Sequence, residues 1–168
     1  MFIRSQRLLL RPGWPEDWTE LFAARACEGR KVDAAYGAML NPMADAIAFA
    51  RRPQAKLLPH FLVTLPGGDG SRIVGCIGFA DEDGEAELGV WIAQAHRRQG
   101  YATEAVRAVL GLAEVLGHRR VVARCSSDHA ASGRVLARSG FRRAGDKCRA
   151  IEFGATCDQG GNGMMRAA

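Results

Sequence analysis

Through the middle of the chain, short apolar segments bounded by turn residues follow one another, and the third of them alternates strictly between apolar and polar positions. Phe61-Leu62-Val63-Thr64-Leu65, Arg72-Ile73-Val74-Gly75-Cys76-Ile77-Gly78-Phe79 and Glu85-Ala86-Glu87-Leu88-Gly89-Val90-Trp91-Ile92 read as three strands. The turns between them carry the residue types a hairpin needs: Pro66-Gly67-Gly68-Asp69-Gly70-Ser71, then Asp81-Glu82-Asp83-Gly84. In the third strand Ala86, Leu88, Val90 and Ile92 share one face, while Glu85, Glu87, Gly89 and Trp91 share the other. Three antiparallel strands in series are predicted.

On either side the period lengthens to that of a helix. Gln6-Arg7-Leu8-Leu9-Leu10-Arg11-Pro12 reads as one short opening strand stopped by proline. Pro15-Glu16-Asp17 then opens a helix with Trp18, Leu21, Phe22 and Arg25 along one side. Residues 30–59 are the least patterned, with one amphipathic stretch over 43–52 that uses Ile47, Phe49 and Ala50. After a loop over 93–100, Val106, Val109, Leu110, Ala113 and Leu116 mark a helix ended by Gly117. A strand over 121–125 follows, then a helix capped by Ser127 or Asp128 and closed by Gly140. Phe141 starts a further strand. The expected fold class is α/β (α+β): one domain over 1–168 with a mixed, mostly antiparallel sheet flanked by helices.

Composition narrows the function classes. The chain has 168 residues, 48% of them hydrophobic and 24% charged, which excludes a disordered tail, a collagen-like repeat and a disulfide miniprotein. No apolar run approaches a membrane span, and Arg4, Arg7 and Arg11 interrupt what a signal peptide would keep apolar. Five scattered cysteines without a C-x-x-C suggest free thiols, hence a cytoplasmic location. His60, His96 and His118 show no metal-ligand spacing and read as surface residues, so no metal is expected. The net charge of +5 suits an anionic partner. Without aromatic interleaving or a helix-turn-helix pattern, that partner is not nucleic acid.

The segment Arg97-Arg98-Gln99-Gly100-Tyr101-Ala102-Thr103 joins the third strand directly to a helix. Unpaired N–H groups and the helix dipole make such a junction an anion site. Gly100 and Ala102 carry almost no side chain, so phosphate oxygens can approach the backbone, and Arg97 and Arg98 add charge at the rim. The bland alternative is an ordinary turn with solvated arginines. Neither a Walker loop nor a dinucleotide fingerprint is present.

Arg97-x-x-Gly100-x-Ala102 resembles the acetyl-CoA pyrophosphate loop of the GNAT N-acetyltransferase superfamily. With Glu104-Ala105 it is similar to the form found in the branch of ribosomal-protein N-terminal (Rim-type) acetyltransferases. Arg7-Leu8-Leu9-Leu10-Arg11-Pro12 with Glu16-Asp17, Glu87-Leu88-Gly89-Val90-Trp91-Ile92, and the segment from Ser132 to Gly140-Phe141 resemble that branch in the same order.

The resemblance implies acetyl-CoA wedged between two splayed strands, here 85–92 and 120–125. Backbone groups of Trp91, Ile92 and Ala93 would line the pantetheine arm. The pyrophosphate would lie on Arg97, Arg98, Gln99, Gly100, Tyr101, Ala102 and Thr103. The implied reaction is acetyl transfer to a primary amine, which needs a base because amines are mostly protonated at pH 7. Glu87 is the first candidate and Glu85 the second; both could equally be carboxylates on a wet strand face. A backbone N–H near Val90 to Ile92 would steady the oxyanion. Many family members carry a tyrosine acid where this chain has Leu136; the branch instead pairs an asparagine with a serine. Ser132 is present and would face the sulfur, but the asparagine position is His129, which would either lie beside the pantetheine or the thiolate or be an exposed histidine at a helix start. The implied acceptor is a protein N-terminal amine, with a small-molecule amine as the nearer rival. A catalytically silent acetyl-CoA-binding sensor is the alternative from another class. A homodimer is compatible with either.

Overall fold

The computed structural model describes residues 1–26, 42–67, 70–125, 130–145 and 148–152. Ser127, Asp128 and His129 lie outside them, as do the residues between the first two helices and the C-terminal tail. The chain opens with two short strands where one was expected: β1 (Ile3–Arg4) and β2 (Leu9–Arg11). Ser5 is the reason. Its N–H donates to the Leu8 carbonyl at 3.0 Å and its hydroxyl accepts the Leu8 N–H at 3.2 Å, closing a turn ahead of the leucine run. A 3-10 turn over Pro15–Asp17 leads into α1 (Trp18–Ala26). Arg11 grips Asp17 through two parallel bonds of 2.7 and 2.8 Å, both side chains being buried. The Trp14 N–H adds a third bond to that carboxylate at 2.6 Å. This fork ties β2 to the entry of α1.

α2 (Pro42–Arg51) buries Ala46, Phe49 and Ala50, whereas Ile47 is only half-buried. The alternating segments become β3 (His60–Gly67), β4 (Gly70–Glu82) and β5 (Glu85–Ile92), paired antiparallel in series as expected. Asp83 and Gly84 both take positive φ, 54° and 80°, which suits the tight turn of the second hairpin. α3 (Tyr101–Val115), β6 (Arg120–Arg124) and α4 (Ala130–Arg138) follow. The strand expected from Phe141 is the two-residue β7 (Arg142–Arg143), which pairs with β8 (Cys148–Glu152). The sheet order is β1-β2-β3-β4-β5-β6-β8-β7.

Both faces of the sheet are covered. On one, α3 lays Ala105, Val106, Val109 and Ala113 against Leu10, Phe61, Ile77 and Leu88. On the other, Leu21 of α1 and Phe49 of α2 pack on Leu62, Cys76 and Trp91. Strand parity sends alternate residues to these two layers. Glu85 and Glu87 therefore share the α1/α2 side with Trp91.

His60 is a correction to the sequence reading. It is 1% exposed rather than on the surface, with its ring edge-on to Phe49 at 5.1 Å. The Gln54 side chain acts as a strand partner, donating to the His60 carbonyl at 2.8 Å and accepting its N–H at 3.2 Å. Nδ1 has no partner. Burial and the nearby Arg52 cation lower its pKa to about 4. The approach of His60 to β4 depends on Gly78: a Cβ there would lie 2.6 Å from His60 Cβ and 2.7 Å from its Cα.

Two outcomes follow. Gly78→Ala should destabilise the fold by about 2 kcal/mol or more, because the obstruction includes backbone. Gly111→Ala, in open space on α3, should stabilise it by about 1 kcal/mol; urea unfolding checks both. The second concerns pH. The folded protein keeps His60 neutral down to about 4, whereas the unfolded chain protonates it near 6.5. Below 6.5 the unfolded state therefore binds more protons, so melting temperature should fall from pH 6.5 to 4 and be flat above. His60→Gln should flatten that limb.

Candidate functional site

The register of β5 against its neighbours creates an opening in the sheet. β5 pairs with β6 in parallel at only two positions, Ala86 with Val121 and Glu87 with Val122. β5 nevertheless continues to Ile92, held on its other side by β4. The strands splay beyond Glu87. The Ala93 N–H donates to the Val74 carbonyl at 2.9 Å, and antiparallel alternation turns the Trp91 backbone toward β4 as well. The same parity turns the N–H and C=O groups of Leu88, Val90 and Ile92 toward the opening. Of the three residues expected along a pantetheine arm, Ile92 has this orientation. Its carbonyl accepts Arg97 Nε at 2.8 Å.

The loop after β5 ends in that opening. A 3-10 turn over Gln94–His96 brings the chain round, and Arg98 and Gly100 adopt left-handed conformations with φ of 62° and 82°. Such conformations let successive N–H groups share a concave side; glycine takes them without strain and arginine does not. Gly100 is the N-cap of α3, and the first helical bond runs from the Glu104 N–H to the Gly100 carbonyl at 3.0 Å. The N–H groups of Tyr101, Ala102 and Thr103 thus lie ahead of the helical ladder, at its positive end.

Two residues without an assigned role brace this loop from the opposite end of the chain. Glu104 accepts the Ser5 hydroxyl at 2.7 Å, the Arg7 N–H at 2.7 Å and Arg7 Nε at 2.8 Å. Arg7 also donates to the Gln99 carbonyl at 3.0 Å and lies over the Tyr101 ring at 4.7 Å. Burial pushes the Glu104 carboxyl up, but the bonds from Ser5 and Arg7 outweigh it and hold the group below its ordinary value.

Glu85 and Glu87 flank the root of the splay, and neither is a loose carboxylate in water. Glu87 is 11% exposed, and its Oε2 accepts Arg124 Nη1 at 2.7 Å. Its Oε1 accepts no bond from another described residue. Arg124 also reaches Glu82 at 3.3 Å. Glu85 is bound by Arg120, both side chains remaining partly exposed. Ser132 is half-buried in the first turn of α4, and Leu136 is buried at 4% in the core. His129, the expected neighbour of Ser132, is outside the described residues. Among the described residues no cluster could hold a metal, and no helix is long and apolar enough to cross a membrane.

The sequence profile of the acetyltransferase (GNAT) domain matches residues 7–142. The chain belongs to the GNAT acetyltransferase family. Over 79 residues it is 37% identical to the uncharacterized N-acetyltransferase YjdG of Bacillus subtilis, a match covering 44% of this chain and 46% of that protein. The matched region therefore spans less than half the length of that relative. A GNAT-family acetyltransferase from Bacillus anthracis superposes with a TM-score of 0.76 at 26% identity, over 90% of this chain and 98% of that one. RimL, a ribosomal-protein α-N-acetyltransferase solved with coenzyme A, superposes with a TM-score of 0.68 at 18% identity, over 90% and 98%. At that identity the likeness is one of fold. Members of this family use acetyl-CoA as acyl donor, and the opening between β5 and β6 with its adjoining helix start suits that molecule.

Glu104→Gln removes the charge that Arg7 and Ser5 converge on. It should lower the melting temperature by several degrees, on the order of 2–4 °C per kcal/mol for a domain of this size. Amide exchange in the first turn of α3 should quicken as well. Hydrogen exchange read by mass spectrometry checks this.

Proposed function

We propose that this protein transfers the acetyl group of acetyl-CoA to a primary amine, and that the amine is the α-amino group of a protein N-terminus. The observation that carries the reading is the two-residue pairing of β5 with β6 beside a helix start whose first amides are outside the ladder. Acetyl-CoA would supply a thioester carbonyl open to attack. The Tyr101, Ala102 and Thr103 amides, with Arg97 and Arg98 at the rim, would hold its pyrophosphate. The backbone of Val90 and Ile92 would pair with the amide-like pantetheine arm.

Glu87 takes the proton of the incoming ammonium ion, directly or through one water, with Glu85 as the second candidate. The largely shielded position of Glu87 and an Oε1 that no other described residue bonds support the choice. The N–H groups of Val90 and Ile92 oppose the charge that develops on the carbonyl oxygen. Ser132 is the donor nearest in kind to what a departing thiolate needs, since Leu136 has nothing to donate. The α-amine is favoured over lysine by its acidity. With a pKa near 8, about a tenth is already neutral at pH 7; a lysine near 10.4 offers less than about one part in a thousand. The likeness in fold to RimL agrees with this. A small-molecule amine is the rival acceptor. The free thiols of Cys76 and Cys125 fit a cytoplasmic setting.

Steady-state release of coenzyme A, measured against N-terminal peptides, lysine peptides and polyamines, tests the reading. N-terminal peptides should be the better substrates. Glu87→Gln should lose about 10²–10⁴ in kcat while calorimetric binding of acetyl-CoA persists. Cofactor binding with no turnover on any amine would instead make the chain a silent binding module.

A further inference from the structure

Arg124 is the last residue of β6, two positions beyond Val122, where the ladder to β5 ends. It therefore lies on the part of β6 that has parted from β5, yet its side chain reaches back across the sheet. Nη1 donates to Glu87 Oε2 at 2.7 Å and lies 3.3 Å from Glu82 Oε1. One guanidinium nitrogen thus ties β6 to β5 and to β4. Arg124 and Glu82 are exposed, whereas Glu87 is largely shielded. An ion pair this wet contributes little to stability. Its effect on geometry is larger. A glutamate side chain turns about three torsions, and among the described residues Arg124 is the one hydrogen-bond partner of the Glu87 carboxylate. Glu82 draws the guanidinium from the far side, so the arginine that holds Glu87 is itself held.

We infer that Arg124 is a positioning residue for acetyl transfer: by holding Oε2 it fixes the plane of the Glu87 carboxylate and leaves Oε1 as the oxygen that meets the amine. This role rests on Glu87 being the proton acceptor, as proposed above. Proton transfer needs the accepting oxygen within hydrogen-bond reach of the ammonium ion, or of one water between them. A carboxylate free to turn spends part of its time out of that reach, and a misplacement of about 1 Å can cost about 10²-fold in rate. Arg124 contributes no atom to the transfer and acts through Glu87. The rival role is that of a strand clamp, which would act on the fold whether or not Glu87 could accept a proton.

A double-mutant cycle separates the two. Coenzyme A release by the full chain is followed with the amine that the wild type turns over fastest, for Arg124→Ala, Glu87→Gln and the double variant. Arg124→Lys and Arg72→Ala are measured alongside; Arg72 is exposed at the opposite end of β4 from Glu82. Arg124→Ala should lower kcat about ten- to a hundredfold with little change in KM. Arg124→Lys, which keeps a cationic donor, should recover most of that loss. Guanidinium ion, added below unfolding concentrations, should restore part of the rate to Arg124→Ala and none to Glu87→Gln. On the Glu87→Gln background Arg124→Ala should cost nothing further, because its effect passes through that carboxylate. Arg72→Ala should match the wild type. Melting curves check that each variant folds, and Arg124→Met, which keeps the length of the stem, replaces Arg124→Ala in the cycle if that variant does not. A loss that persists in full on the Glu87→Gln background would overturn the positioning role and leave Glu87 as the base. So would a folded Arg124→Ala with wild-type kcat beside an impaired Glu87→Gln. If Glu87→Gln turns over at the wild-type rate, the proton-acceptor reading itself fails, and the role of Arg124 with it.

Discussion

The geometry of the site depends on one interruption in hydrogen bonding: β5 and β6 pair for two residues and then part. A central strand that stops pairing leaves amides and carbonyls without partners, a costly state for groups shielded from water. The fold tolerates it because β4 holds β5 along its whole length on the other side, from Glu82 with Glu85 to Gly75 with Ile92. Parity then decides which groups face the gap. Had the Ala93 N–H not faced Val74, the opposite set of backbone groups would have lined the opening. The splay and the orientation of its edge therefore follow from one register.

A second constraint fixes the loop at the mouth of that gap. Arg98 sits in a conformation that costs a non-glycine residue of the order of 1–3 kcal/mol, so neighbouring contacts must hold it. They come from far along the chain. Arg7 bonds the Gln99 carbonyl, stacks on Tyr101 and pairs with Glu104, while Arg97 anchors to Ile92. The Arg11–Asp17 fork steadies β2, the strand that follows the turn carrying Arg7. The N-terminal segment, which looks like a peripheral edge of the sheet, thereby acts as a splint for the helix start.

Much of this was legible in residue order, and the exceptions share a cause. Strand β5 was read to the residue because strict alternation follows a turn of the type a hairpin requires. The loop around Gly100 was legible as a strand-to-helix junction, because Gly100 stands where the strand pattern has ended and the helical one begins. The Ser5 turn was hidden, since Leu8, Leu9 and Leu10 look like the heart of a single strand. His60 was misplaced because nothing adjacent reveals Gln54 folding back on it or Gly78 making room across the sheet. The partners of Glu87 and Glu104 lie 37 and 97 positions away, on elements that meet only in the folded sheet. Local pattern finds elements and turns; it does not find ion pairs between them.

Those distant pairs explain why the opening stays open at one end and shut at the other. The paired positions Ala86 and Glu87 are preceded by Glu85 with its partner Arg120, and Glu87 itself bonds Arg124. Exposed ion pairs of this kind contribute little each, but Glu87 is largely shielded and Arg124 also spans to Glu82. They act where the backbone ladder ends, so side-chain bonds replace main-chain bonds at the vertex. A vertex clamped by side chains lets the strands beyond it diverge without unzipping the pair beneath. The same arrangement sets a carboxylate, largely shielded and with one oxygen that no other described residue bonds, where the two strands separate. Holding the sheet together and, in the proposed reaction, accepting the proton would thus fall to one residue.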